Sequence, residues 1–211
     1  MNILQKIVFS IKNPKIALSI IMEKVDFGKE FSGLSSARSD SDNGRYIKAV
    51  ESASESFRIF LKFKRLPAYR AILEHVSQEQ GRDYLAIVNE QSPNLLEPQL
   101  LQKCKENDLL GNPLLFNYPG IGAISPTTLR YIKVASDLKK YFKDIADFEI
   151  AEIGCGYGGQ LLILDKIFSP KHYYLFDLPS VLKFIYKYIE NFILNTSYTL
   201  TSLNQWEAKS L

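Results

Sequence analysis

Four glycines within six residues, Gly154-Cys155-Gly156-Tyr157-Gly158-Gly159, sit between a strand-like stretch, Phe148-Glu149-Ile150-Ala151-Glu152-Ile153, and a helix-like one carrying Leu161, Leu162 and Leu164. Glycine has no side chain and tolerates positive φ, so such a turn can reverse tightly and bring its backbone against a ligand. Strand, glycine turn and helix in this order open a doubly wound α/β sheet, whose ligands lie at the carboxyl ends of the strands. A second strand pattern, Tyr173-Tyr174-Leu175-Phe176, closes on Asp177, and a helix is expected to start at Pro179.

The glycine spacing fits two templates. Gly154, Gly156 and Gly159 match a dinucleotide fingerprint, while Gly154, Gly156 and Gly158 match a methyltransferase loop. Glu152 separates them, because a carboxylate at the strand end repels a pyrophosphate and attracts a cation. Adenosylmethionine carries an ammonium and a sulfonium and no phosphate, so the charge favours it over a nicotinamide dinucleotide. Asp177 stands where a carboxylate accepts hydrogen bonds from ribose hydroxyls, with capping of the following helix as the plainer alternative.

The rest of the composition narrows the field. The chain has 211 residues, 46% hydrophobic and 23% charged, enough for one ordinary domain and a smaller attachment. A net charge of +3 without a concentrated basic stripe argues against nucleic acid as the main partner. Cys104 and Cys155 are far apart, with neither disulfide-framework nor metal-ligand spacing, and a cytoplasmic setting fits best. No run of eighteen apolar residues occurs. At the N-terminus Ile3, Ile7 and Ile11 recur at four-residue steps and a second short helix could begin at Pro14. Two amphipathic helices packed on the protein's own body are favoured there, with membrane-surface contact through residues 1–25 as the alternative.

Three regions are expected: N-terminal helices and a linker over residues 1–44, a helical region over 45–145, and a partial nucleotide-binding sheet over 146–211. The linker ends on Ser39-Asp40-Ser41-Asp42-Asn43-Gly44, and Asp42 or Asn43 is the candidate cap of the next helix. Tyr46, Val50, Ala53, Phe57 and Phe60 keep helical spacing and predict one helix of about five turns, ended by Pro67. Shorter helices are expected through Ala68, Ile72 and Val76, through Tyr84, Ile87 and Val88 after Gly81, and from Glu97 to Asn107. Gly111 to Ser125 reads as a loop, and Ser125 with Pro126 starts a helix whose buried face is Leu129, Ile132, Ala135, Leu138 and Phe142.

These blocks together resemble a family. Tyr118-Pro119-Gly120-Ile121-Gly122, Ile124-Ser125-Pro126-Thr127-Thr128-Leu129-Arg130-Tyr131, the turn from Glu152 to Gln160, and Phe176-Asp177-Leu178-Pro179 are similar to the sugar O-methyltransferases of bacterial surface-polysaccharide clusters. The resemblance implies a Rossmann-like class I methyltransferase domain that takes adenosylmethionine and a sugar or glycan acceptor. It implies that Gly154, Gly156 and Gly158 line the methionine and ribose, with Cys155 and Tyr157 as the intervening loop residues. Glu152 would stand near the amino group and Asp177 would hold the ribose.

The far end of the chain departs from that pattern. After Gly158, residues up to Leu211 leave room for about two more strand-helix units of roughly thirty residues each. Ser197 to Leu203 is expected as a third strand, and Trp206 to Leu211 offers nothing further. The sequence therefore reads as a sheet cut short, by a frameshift or premature stop in preference to a split protein. An inactive fragment or binding module is the rival to an active methyltransferase. No catalytic base is identified, His75 and His172 being poor candidates.

Overall fold

The computed structural model describes residues 44–202. The expected helices of residues 1–25, the linker to Asn43, the capping roles of Asp42 and Asn43, and the end of the chain from Leu203 through Trp206 lie outside the described residues.

The protein is a mixed α/β structure in which helices precede and cover two small sheets. The first helices of the described residues are α1 (Gly44–Glu55) and α2 (Phe57–Phe60), not one continuous rod. Ser56 separates them. It has extended backbone angles and its Oγ accepts from the Ile59 amide at 3.4 Å, capping a new turn. Val50, Ala53 and Phe60 nonetheless keep one buried face, which is why the break left the periodicity intact.

Pro67 opens a helix rather than merely ending one. α3 (Pro67–Arg70) is a single turn with the proline at its start, where a missing N–H costs nothing, and the expected helix through Ile72 and Val76 does not continue. α4 (Gln78–Gln91) begins with a capping box, Ser77 and Gln80 bonding each other's backbone amides, and carries Gly81 inside it. α5 (Pro98–Cys104) tightens at its end into a 3₁₀ turn, Lys105–Asp108. The stretch read as a loop contains an antiparallel hairpin, β1 (Phe116–Tyr118) and β2 (Gly122–Ile124), turned through Pro119 and Gly120.

α6 (Pro126–Phe142) starts as its sequence dictates, with Ser125 Oγ accepting from the Thr128 amide at 3.1 Å. Leu129, Ile132 and Ala135 are buried and Leu138 partly so, but Phe142 is 52% exposed, because the helix outruns the core in its last turn. The second sheet then runs β3 (Glu149–Ile153), α7 (Gly159–Ile167), β4 (His172–Phe176), α8 (Pro179–Ile189), β5 (Ser197–Thr201). Its strands are parallel in the order β3-β4-β5, with Ile153 level with Phe176 and Phe176 level with Thr201. Strand, helix, parallel strand, twice over, needs helices long enough to return the chain, and α7 and α8 supply them. Among the described residues β3 pairs on one side only, and Ile153 at its end is 76% exposed.

One hydrophobic core runs through both parts, from Tyr46 and Val50 to Phe184 and Ile189. α1 packs on α8, α4 on α6 and α6 on α7. At the centre Phe63 meets Phe184 edge-on at 4.8 Å and Tyr157 at 5.4 Å, and Tyr157 meets Tyr188 at 4.9 Å. No helix of the described residues is long and apolar enough to cross a membrane.

Candidate functional site

The glycine turn, residues 154 to 158, leaves β3 at the carboxyl ends of the parallel strands. The Gly154 amide donates to the Phe176 carbonyl at 2.9 Å and the Asp177 amide faces the Thr201 carbonyl at 3.4 Å, so the three strand ends lie level beneath it. Gly154, Gly156 and Gly158 all have φ between +62° and +83°, the left-handed region open chiefly to glycine, and this is what bends the strand into α7 within five residues.

The glycines do different things. A Cβ on Gly154 would meet nothing within 4 Å, so its face looks onto open space. A Cβ on Gly156 would come within 2.9 Å of Leu73, from the segment after α3 that lies against the turn. On Gly158 it would crowd Ile185 and Ile189 of α8 at 3.1 and 3.2 Å, and on Gly159 it would strike the Tyr157 and Tyr131 rings at 2.5 and 2.7 Å. Gly158 and Gly159 are thus demanded by packing, and Gly154 is the glycine that leaves room.

Two carboxylates stand at the strand ends from which the turn departs. Glu152, one pairing position from the end of β3, accepts from the Tyr173 hydroxyl through Oε2 at 2.9 Å across the β3–β4 ladder. Burial pushes its pKa up to about 7; the Tyr173 hydroxyl works against this and the nearby Asp177 charge adds to it. Asp177, at the end of β4, accepts from the Leu178 amide at 2.8 Å and from the Gly156 amide at 3.3 Å. Burial raises its pKa and those backbone amides oppose the rise. Asp177 therefore braces the turn and holds the entry to α8 with the same carboxylate that stands at the strand end.

The side chains of Cys155 and Tyr157 are both buried. Cys155 is buried with Sγ toward the Glu152 and Phe176 carbonyls at 3.1 and 3.5 Å, and burial first, then the two neighbouring carboxylates, raises its thiol pKa. Tyr157 is fully buried among Phe63, Tyr131 and Tyr188, with Lys64 Nζ 4.4 Å from its ring centroid. With both side chains buried, neither residue presents a side chain at the surface of the turn.

The helical stretch contributes groups that sequence alone did not single out. Lys64 is buried, donates through Nζ to the Asn107 carbonyl at 2.6 Å, and has its pKa lowered by burial, which the Glu74 and Asp108 carboxylates oppose. Asn107 Nδ2 donates to Thr128 Oγ1 and to the Tyr157 hydroxyl, while its Oδ1 accepts from Tyr188. Asp108 accepts from the Ser125 amide and from the Ser125 and Thr128 hydroxyls at 2.8, 2.6 and 2.7 Å. Glu74 Oε2 accepts from Thr127 Oγ1 at 2.9 Å, and Oε1 is buried without a hydrogen-bond partner. Charged and amide residues are ordinarily surface residues, so their spacing carried no sign of this network.

His172 stands level with Glu149 at the end of the ladder away from the turn, its ring nitrogens 2.7 and 2.8 Å from the hydroxyls of Ser197 and Thr199, and His75 is exposed. Among the described residues no group of three or more His, Cys, Asp or Glu side chains could hold a metal ion. No family model, curated protein or solved structure matches the chain.

Proposed function

We propose that the turn binds the methionine and ribose of adenosylmethionine and that the protein serves methyl transfer to a sugar hydroxyl, on a Rossmann-like methyltransferase domain. The observation that carries this reading is the pair of carboxylates, Glu152 and Asp177, at the ends of adjacent parallel strands from which the turn with the open glycine Gly154 departs. The residues suit the group. Glu152 commits one oxygen to Tyr173 and, when ionised, presents a carboxylate near the end of β3, which suits an ammonium and disfavours a pyrophosphate. Asp177 has lone pairs beyond the two amides it already accepts from, enough for a ribose hydroxyl.

When bound, adenosylmethionine supplies an electrophilic methyl group on a sulfonium. The chain's part is then to fix the two charged ends of that ligand and exclude water from its methyl face. The sugar specificity rests on the resemblance of the Tyr118–Gly122 and Ile124–Tyr131 blocks, and a cytoplasmic location accords with a nucleotide-type cosubstrate of that kind.

Calorimetric titration of the folded chain with adenosylhomocysteine tests the cofactor half without needing the acceptor. Saturable binding that Asp177→Ala weakens at least tenfold is expected; a folded chain that takes up no heat would end the reading. Transfer of a labelled methyl group to a panel of sugars and glycans tests the acceptor half.

A further inference from the structure

Arg130 lies one helical turn beyond Thr127 on α6, and so shares the face that meets Glu74. The next residue, Tyr131, is packed so close to Gly159 that an added Cβ there would come within 2.7 Å of its ring, and Gln160 Nε2 donates to the Tyr131 carbonyl. Arg130 is therefore anchored at the flank of the glycine turn. Its guanidinium carbon is 5.2 Å from the Tyr131 ring centroid and the side chain is half-buried. Its charge is felt by both Glu74 and Glu152, yet among the described residues neither forms an ion pair with it. A guanidinium offers five donors in a planar fork matched to a carboxylate, and one partly removed from water gains most from such a partner.

We infer that Arg130 takes the carboxylate of the ligand's amino-acid arm, while Glu152 takes its ammonium. This rests on the adenosylmethionine reading of the same turn. An α-amino acid carries opposite charges two bonds apart, and a cation on α6 within electrostatic reach of an anion near the end of β3 is the complementary arrangement. It also assigns a role to a block, Leu129-Arg130-Tyr131, that the glycine turn and Asp177 leave without one.

The test is calorimetry on the wild-type chain with three ligands: adenosylhomocysteine, its decarboxylated analogue, which keeps the amine, and 5′-methylthioadenosine, which lacks the whole amino-acid arm. Loss of the carboxylate should weaken binding about tenfold or more relative to adenosylhomocysteine. Arg130→Met should weaken adenosylhomocysteine to the same degree and leave methylthioadenosine unchanged, whereas Asp177→Ala weakens both. Equal binding of adenosylhomocysteine and its decarboxylated analogue by the wild type overturns the role of Arg130 with the cofactor reading intact. So does a parallel loss of adenosylhomocysteine and methylthioadenosine in Arg130→Met. A folded wild type that binds none of the three overturns both. The wild-type comparison stands even where Arg130→Met does not fold.

Discussion

Asn107 Nδ2 donates to the Tyr157 hydroxyl at 3.0 Å, a bond between residues fifty apart in sequence that ties the middle of the glycine turn to the helical stretch. Because this hydroxyl faces the core, Tyr157→Phe should cost about 1 kcal/mol of stability. The affinity for adenosylhomocysteine should stay within twofold. Urea denaturation and calorimetry on the same variant check both halves, and a large affinity loss without a stability loss would return Tyr157 to the ligand side.

Glu152 makes the site sensitive to pH. Its pKa is raised from an ordinary 4.5 to about 7, so the protonated form is the one the fold prefers. That contribution to stability is full below pH 4.5 and is lost as pH rises through about 7. A cationic ligand needs the ionised form and must first expel the proton. Affinity for adenosylhomocysteine should therefore fall toward about tenfold per pH unit below 7 and level off above it, and Glu152→Gln should abolish the slope along with most of the affinity. Titrations between pH 5.5 and 8 decide it.

Alanine substitutions should sort the glycines. Gly158→Ala combines strain at φ +83° with crowding against Ile185 and Ile189, and Gly159→Ala drives a methyl into the Tyr157 and Tyr131 rings; each should cost about 1–3 kcal/mol by thermal or urea unfolding. Gly154→Ala carries only the backbone strain, about 1–2 kcal/mol, and puts its methyl into open space. It should be the variant in which affinity for adenosylhomocysteine drops furthest for the least stability lost.

Asp165 is fully buried at the end of α7, where Oδ1 accepts from the Asn195 and Thr196 amides, both at 2.8 Å. These two bonds hold the approach to β5. Asp165→Ala leaves both amides unpaired and should cost about 2–4 kcal/mol, while Asp165→Asn keeps an acceptor and should cost less. Hydrogen exchange of the Thr196 and Ser197 amides would show the loss locally.

The strand-turn-helix run from Glu149 to Ile167 was legible because everything that makes it is local: alternation, glycines at the bend, leucines at the start of a helix. The placement of Asp177 at a strand end followed from the same pattern. Ser56 was not legible as a break, since a helix that stops and restarts can keep its apolar face in register. Nor was the hairpin at Phe116 to Ile124, whose strands are three residues each and whose turn chemistry looks like any glycine-rich loop. Lys64, Asn107, Asp108 and Glu74 were missed for a different reason. Their burial depends on partners 17 to 81 residues away in sequence, and a charged or amide residue announces only that it can be solvated. The resemblance implied Tyr157 only as a residue of the loop; the burial of its ring is set by the aromatic cluster around Phe63 and Tyr188, contacts no spacing rule encodes.

That aromatic cluster has a consequence for how the protein comes apart. With Phe63, Tyr157, Phe184 and Tyr188 packed edge to face, the glycine turn has no interior of its own to fall back on when the upstream helices open. Partial unfolding that frees residues 44–70 should loosen the turn in the same event, so these helices and the glycine turn ought to exchange their amides as one cooperative unit rather than as two.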